Sequence, residues 1–196
     1  MIGVVSDEMS NVISNGIGKG SVVLITGASS GLGRAAAQRF GQGGWKIAVN
    51  YCHNREGAEE TCRLVRQAGG QSQAIGADVS QCVEVERLVA QVEREVGPID
   101  VLVNNAGMVL RQSFLDTTVA DWDDCFALNV RGVFLTGQAV AKAMVQRRKG
   151  VIINIGSIWS QVALANRSAY AASKGAVDAL TKAMAIELAP FGIRVN

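Results

Sequence analysis

Residues 22–34 read VVLITGASSGLGR: a short apolar run, then the glycine-punctuated turn Thr26-Gly27-Ala28-Ser29-Ser30-Gly31-Leu32-Gly33-Arg34, which opens into an amphipathic stretch. A run that short and that uniformly apolar fits a strand buried on both faces. Glycines placed between a strand and a helix let the backbone approach a phosphate at the helix N-terminus, where N–H groups lack intrahelical partners. The spacing is Gly-x-x-x-Gly-x-Gly, which departs from the Gly-x-Gly-x-x-Gly of the commoner dinucleotide fingerprint. A tight turn with no ligand could use the same glycines, so the weight comes from what surrounds it.

Outward from this turn the pattern repeats. Apolar runs at Val22–Thr26, Lys46–Tyr51, Ser72–Gly76, Ile99–Asn104 and Val151–Ile155, with Ile193–Asn196 beginning another, alternate with helical stretches at Leu32–Gln42, Arg55–Ala68, Asp121–Arg148 and Ser168–Ala189. Between the third and fourth runs, Val85, Leu88, Val89, Val92 and Val96 recur at helical spacing opposite Glu84, Glu86, Arg87, Glu93 and Arg94. Such alternation predicts an α/β fold, a doubly wound parallel sheet with helices on both faces that ends at the start of its sixth strand. Each strand reads as too uniformly apolar to be half exposed. Residues 1–20 are expected to form a loose polar extension and residues 21–196 a single domain. The basic run Gln146–Lys149 reads as a solvated helix C-terminus, where cations suit the dipole.

Composition excludes several classes. Of 196 residues, 48% are hydrophobic, enough for a sizeable core, and a formal net charge of +2 is too small to argue for nucleic acid or an anionic membrane. The cysteines Cys52, Cys62, Cys82 and Cys125 form no C-x-x-C pair, and His53 is the only histidine, so neither a disulfide framework nor a metal site is indicated. A reducing cytoplasm fits this usage. No apolar run reaches membrane-spanning length, and the first twenty residues carry Asp7 and Glu8 but no basic region of the signal-peptide kind.

The chemistry-bearing residues stand near the C-terminal end: Gly156-Ser157, then Tyr170-Ala171-Ala172-Ser173-Lys174. A phenol titrates near about 10, so a tyrosine exchanging protons near neutrality needs its ionised form stabilised by about 4 kcal/mol. Residues four apart share a helix face, so the Lys174 ammonium is expected beside the Tyr170 phenol. Ser157 then serves as a donor fixing a substrate oxygen. Asn129 falls inside a helical stretch, where a buried amide needs a partner; a proton-relay water would satisfy it, and an amide that simply caps its neighbours is the plainer account. Asp78 closes the third strand, where turn and capping roles are also open to it.

The series Thr26–Gly33, Asn104-Asn105-Ala106-Gly107, Asn129 in Leu-Asn-Val-Arg-Gly, and Ser157, Tyr170 and Lys174 resembles the classical short-chain dehydrogenase/reductase family, from about Ser21 to Asn196. The resemblance implies a Rossmann-type fold that binds NAD(H) or NADP(H) and transfers a hydride between nicotinamide and a secondary alcohol or ketone. It implies Tyr170 as general acid/base, Lys174 as the residue that lowers its pKa and holds the nicotinamide ribose, Ser157 as the orienting donor and Asn129 as the holder of a relay water. Gly27, Ser29, Ser30, Gly31, Leu32 and Gly33 would cradle the pyrophosphate, Asp78 and Val79 meet the adenine, and Asn104, Ala106 and Gly107 line the cofactor. Tyr51 occupies the position where an NAD-preferring member carries its acid, and Arg34 and Arg55 are the nearest cations, which favours NADP(H) with NAD(H) the alternative. The loops Met108–Leu115 and Ile158–Arg167 should border the pocket, offering Met108, Leu110, Arg111, Trp159 and Gln161. The chain is similar to 3-oxoacyl-carrier-protein reductases and to sugar or polyol dehydrogenases of the family, so a small carbonyl or alcohol substrate is expected. A homotetramer is implied for the complete protein, through the helices Asp121–Arg148 and Ser168–Ala189. Family chains continue beyond a sixth strand, so the chain reads as C-terminally incomplete, with little turnover expected of it alone. A non-catalytic dinucleotide-binding module, or an inactive fragment of such an enzyme, is the alternative.

Overall fold

The computed structural model describes residues 16–196. In chain order its elements are β1 Val22–Ile25, α1 Gly31–Gln42, β2 Lys46–Tyr51, α2 Arg55–Gln67, β3 Gln71–Gly76, α3 Cys82–Glu95, β4 Ile99–Asn104, α4 Val119–Phe126, a π-helical turn Ala127–Arg131, α5 Gly132–Arg147, β5 Gly150–Asn154, α6 Ser168–Leu188 and β6 Ile193–Val195. The strands form one parallel sheet in the order β3-β2-β1-β4-β5-β6, the expected doubly wound architecture.

Period-two alternation along the inner strands divides the core in two. Val22, Leu24, Ile99 and Leu102 face a layer built by α3, α5 and α6, where Leu88, Val92, Val140 and Met144 are buried. Val23, Ile25, Val101 and Val103 face α1 and α2, meeting Ala37, Ala58, Cys62 and Val65. Most of the expected extension lies outside the described residues; of its last five, Ile17 is buried in this second layer.

Three expectations are corrected by the structure. β3 is half exposed, because as an edge strand it has a neighbour on one side alone: Gln71 is exposed, and of the rest only Ile75 is buried. The stretch read as one helix, Asp121–Arg148, begins earlier and is broken. Thr118 and Asp121 form a reciprocal capping box that starts α4, and the π turn at Ala127–Arg131 separates α4 from α5. The basic run at the end of α5 is exposed at Gln146–Arg148, but it is more than a solvated end. Arg147 bonds Glu93 and the Ile99 carbonyl, Arg148 bonds the Pro190 carbonyl, and Lys149 reaches Asp100 and the Gly16 carbonyl.

β6 pairs in register with β5, and Ile193 and Val195 are buried while Arg194 is exposed. The sheet therefore closes over β5 with a short parallel strand. Among the described residues no helix is long and apolar enough to cross a membrane.

Candidate active site

In an open parallel sheet the loops leaving adjacent strands diverge where the strand order reverses, and the crevice between them receives ligands. Here the reversal lies at β1, which has β2 on one side and β4 on the other. A groove of about 660 Å³ opens there, lined by the turn after β1 (Gly27, Ser29–Leu32), the end of β2 (Asn50, Cys52, His53), the turn after β3 (Ala77–Ser80) and the turn after β4 (Asn105–Met108).

The two turns facing each other across this switch point are tied by side chains. Thr26 Oγ1 accepts from the N–H groups of Asn105 and Ala106, both at 3.0 Å, and Asn105 Nδ2 donates to the carbonyls of Thr26 (2.9 Å) and Gly27 (3.1 Å). A Cβ at Gly33 would lie 2.8 Å from the Gly27 carbonyl oxygen and 2.9 Å from Ala28 Cα, so α1 can pack this closely only on glycine. Gly31 has φ +54° and open space where a Cβ would stand, and it lines the groove.

The start of α1 also fits an anion. Its N-cap, Ser30, makes no side-chain capping bond, and the first turn carries no acid. By contrast Asn54 caps α2, accepting from Gly57 N–H at 2.8 Å. The first N–H groups of α1 thus keep their hydrogen-bonding capacity at the positive end of the helix dipole, as a bound pyrophosphate requires. The residues present fit a dinucleotide.

Not every expected cofactor residue stands at this groove. Gly27, Ser29, Ser30, Gly31, Leu32, Asp78, Val79, Ala106 and Gly107 line it. Asn104 does not: it is buried, its Nδ2 donates to Asn154 Oδ1 (2.9 Å), and its Oδ1 accepts from Thr136 Oγ1 (2.6 Å). Tyr51 packs half-buried over Gly76, leaving the corner to its neighbours Cys52 and His53. Arg34 is committed elsewhere, bonding Thr61 Oγ1 and the carbonyls of Ser29 and Gly57, because the turn needs its carbonyls satisfied. Arg55 is exposed, 3.9 Å from Glu59. Asp78 caps its own turn through Ser80 N–H. Asn50 was missed in sequence: it accepts from Gly27 N–H and donates to the Ala77 carbonyl (3.0 Å), joining three turns of the groove. A lone amide inside the apolar run KIAVNY is the signal that could have found it.

The second cluster sits where α6 crosses the end of β5. Lys174 is buried, 5% exposed, and its Nζ donates to the Ile155 carbonyl at 2.6 Å. That places the ammonium 6.0 Å from the centre of the Tyr170 ring, on the same helix face. Ser157 Oγ accepts from the Trp159 N–H (3.2 Å), and the Trp159 ring meets Tyr170 edge-on at 5.8 Å between centroids. Trp159 therefore touches both Ser157 and Tyr170. Burial pushes the Lys174 pKa down, opposed by Cys125 and by Asp178. Cys125 has its own pKa raised by burial and is neutral near neutrality, so Asp178 is the charged group of the two. Asp178 lies one helical turn beyond Lys174 and accepts from Gln161 Nε2 at 3.0 Å, tying α6 to the loop that follows Ser157.

Asn129 sits in the π turn, fully buried. Its Nδ2 donates to the Met108 carbonyl (2.9 Å) and to Ser173 Oγ (3.0 Å), and its Oδ1 accepts from Met108 N–H (2.8 Å). Both amide hydrogens are spent on protein groups, so the amide nitrogen is satisfied without a water. Ser173 in turn donates to the Tyr170 carbonyl at 2.7 Å. A continuous chain therefore runs from Met108 through Asn129 and Ser173 to Tyr170.

A parallel sheet with a glycine turn at its switch point is the architecture on which dinucleotides bind, and the tyrosine–lysine pair stands at the adjoining strand end. The comparisons agree. The family model for short chain dehydrogenases matches residues 21–196, and the chain belongs to that family. It is 41% identical over 177 residues to the 5-keto-D-gluconate 5-reductase of Escherichia coli (strain K12), covering 90% of this chain and 69% of the relative. A gluconate 5-dehydrogenase from Burkholderia cenocepacia, solved in complex with NADP and tartrate, superposes with a TM-score of 0.85 at 38% identity, over 91% of this chain and 69% of that one. An NAD+-bound xylitol dehydrogenase gives 0.88 at 36% identity, over 91% and 68% of the two chains.

The depressed Lys174 pKa has a consequence for stability. Between the folded value and the ordinary 10.5 the native state binds fewer protons than the unfolded chain, so this residue's contribution to stability rises with pH across that window. The unfolding free energy of the wild type relative to Lys174→Met is expected to grow as pH approaches 10.5. Urea unfolding at a series of pH values reads it, and a difference that stays flat or shrinks would contradict burial as the main influence.

Proposed function

We propose that the protein is an NAD(P)(H)-dependent oxidoreductase that interconverts a secondary alcohol and a ketone, with Tyr170 as general acid/base. The observation that carries this reading is Lys174, a buried ammonium fixed by the Ile155 carbonyl on the helix face it shares with Tyr170. The ammonium stands beside the Tyr170 ring, where its positive charge stabilises the negative charge that develops on the phenolic oxygen as the proton leaves. When bound, the nicotinamide supplies or accepts the hydride. In reduction the Tyr170 hydroxyl gives its proton to the substrate oxygen, and in oxidation the phenolate takes it back. Ser157 donates a hydrogen bond to the same oxygen, with Trp159 N–H occupying one lone pair of its Oγ and fixing its direction. Asn129 acts by position, holding Met108 and Ser173 so that the backbone under Tyr170 cannot shift.

The start of α1 with Ser29–Gly33 holds the pyrophosphate, and Asp78 and Val79 border the adenine end. NADP(H) is the favoured cofactor. Tyr51 offers no carboxylate to a ribose 2′-hydroxyl, and the exposed Arg55, only loosely paired with Glu59, together with His53 is available to a 2′-phosphate. The NADP-bound gluconate 5-dehydrogenase supports this choice and the NAD+-bound xylitol dehydrogenase supports the other, so the corner chemistry carries it.

The protein also self-associates in this reading, through α5 and α6. These helices flank an apolar groove of about 530 Å³ containing Phe134, Gly137, Ala141, Leu180, Ala183 and Met184. Ala172, Ala179 and Ala183 are exposed and not packed on the sheet, Ala176 and Leu180 are half-buried, and the sheet side of α6 is taken by Ala169, Ser173, Lys174 and Val177. Cys52 and Cys82 are exposed free thiols, which suits a reducing cytoplasm.

Tyr170→Phe is expected to abolish turnover, by several orders of magnitude, with cofactor dissociation constants within a few fold of wild type; Lys174→Ala harms both. Rates near wild type for Tyr170→Phe across a carbonyl panel of sugar acids, polyols and acyl thioesters would sink the assignment, and a wild type that binds dinucleotide but turns over nothing would favour a binding module.

Tyr51→Asp is expected to move preference from NADP(H) toward NAD(H) by repelling the 2′-phosphate. Dissociation constants for both cofactors decide it, and tighter NAD(H) binding by the unmutated protein contradicts the choice.

Ala183→Arg is expected to split the oligomer. Sedimentation of the wild type as a monomer at micromolar concentration would count against the interface.

A further inference from the structure

Among the described residues, two side-chain polar atoms are buried without a hydrogen-bond partner, Gln112 Oε1 and Arg167 Nε. One is an acceptor and one a donor. They lie on the two loops that border the candidate site, and those loops meet where Gln112 N–H donates to the Asn166 carbonyl at 3.2 Å. Gln112 also helps hold the Asp121 carboxyl below its ordinary pKa, behind the larger influence of Thr118, and its Oε1 is the end without a partner. Orphaned groups of this kind are uncommon in a native fold and call for an explanation.

The placement of Arg167 supplies one. Its guanidinium carbon stands 5.6 Å from the centre of the Trp159 ring, and Trp159 is the residue that touches both Ser157 and Tyr170. Arg167 is thus one aromatic ring away from the proposed reacting oxygen. Nη1 is spent on the Asn166 carbonyl (2.7 Å), so the Nε–Nη2 edge is the uncommitted side of the fork. That edge is the geometry that takes a carboxylate in two parallel hydrogen bonds.

The local backbone works against this arrangement in the absence of an anion. Arg167 is the N-cap of α6, a helix with no acid in its first turn and no side-chain cap, so a cation stands at the positive end of the dipole. Asn166 before it adopts φ +58°, a left-handed conformation. Sequence rules broken together at one point are expected where function requires them.

We propose that Arg167 and Gln112 form the substrate-recognition pair, and that they select a short polyhydroxylated carboxylate: the guanidinium binds the carboxylate, and Gln112 Oε1 accepts from a substrate hydroxyl. The proposal rests on the reading of the site as an alcohol/ketone oxidoreductase and adds the substrate class. An acyl chain or another apolar ligand would leave both buried groups unpaired, at a cost a sugar acid avoids.

The test compares 5-keto-D-gluconate with L-sorbose, which carries a hydroxymethyl group in place of the carboxylate. Wild type should prefer the acid. Arg167→Leu should lower kcat/KM for 5-keto-D-gluconate by about 10-fold or more, through KM, and leave L-sorbose nearly unchanged, while Arg167→Lys recovers part of the loss. Gln112→Leu should weaken both substrates alike. Equal losses on both substrates for Arg167→Leu, or discrimination that vanishes in Arg111→Leu instead, would overturn the proposal. Calorimetric titration of D-gluconate into the protein decides independently of turnover: binding lost in Arg167→Leu supports the pair even if no carbonyl is reduced, an outcome that would sink the oxidoreductase reading alone, whereas unchanged or absent binding in the wild type overturns the pair.

Discussion

A single buried ammonium organises this molecule. Lys174 has left water, and the first group it finds is the carbonyl of Ile155, 2.6 Å away, at the end of β5. Taking a charge from water costs several kcal/mol unless hydrogen bonds and nearby charge offset it. The fold meets that cost locally: one carbonyl from the strand end and the Asp178 carboxylate one turn along α6. Because the carbonyl belongs to β5 and the ammonium to α6, the contact also fixes the height of the helix along the strand. Thr181, two turns beyond Lys174 on the same face, repeats the attachment by accepting from Asn154 Nδ2 at 2.9 Å. Two adjacent β5 residues thus hold two positions on α6 seven residues apart, and a helix held at two points cannot rotate Tyr170 away.

The same strand end couples the two halves of the site. Asn154 and Asn104 are register partners on β5 and β4, and their side chains bond each other at 2.9 Å, with Thr136 of α5 closing the set. Asn104 therefore contributes to the cofactor groove from beneath, by fixing the strand that presents Asn105, Ala106 and Gly107. On the other side Thr26 and Asn105 knit the β1 and β4 turns together, and Asn50 joins them to the β3 turn. Four amides and two threonines at the edge of a largely apolar core are tolerated because each is paired, and a fully paired polar network specifies one geometry more sharply than apolar contacts do.

The parallel sheet and its helix layers were legible in the sequence, because buried parallel strands and amphipathic helices have different periods and the glycine turn marks where one gives way to the other. The parts that were not legible depend on neighbours outside the local window. Gln71–Gly76 looks like any other short strand until its place at the edge of the sheet is known. The break between α4 and α5 has no proline or glycine pair to announce it; it arises where Asn129 turns inward to bond Met108 and Ser173, contacts 21 and 44 residues away in sequence. Arg34 reads as a free cation beside a phosphate turn, yet three bonds to Thr61, Ser29 and Gly57 occupy it. Tyr170, Lys174 and Ser157 could be named from spacing; Trp159 could be placed only on a loop bordering the pocket, without its link to two of them, and Asp178, which ties that loop down, stands in no motif.

Stability and chemistry pull apart in one region. Most of the chain obeys local rules: α2 and α4 are capped, and α5 carries its cation at the C-terminal end. The start of α6 breaks them. It has an arginine at the N-cap, a left-handed asparagine before it and two unpaired buried polar atoms beside it. The start of α1 is likewise uncapped, although its N-cap residue, Ser30, has a hydroxyl that could have supplied a cap. Both starts lack a side-chain cap and an acid in the first turn, so each keeps the positive potential of its helix dipole. A fold optimised for stability alone would place an aspartate at each. In the proposed reading that shared sign suits a ligand anionic at two points, a dinucleotide pyrophosphate at α1 and a substrate carboxylate at α6.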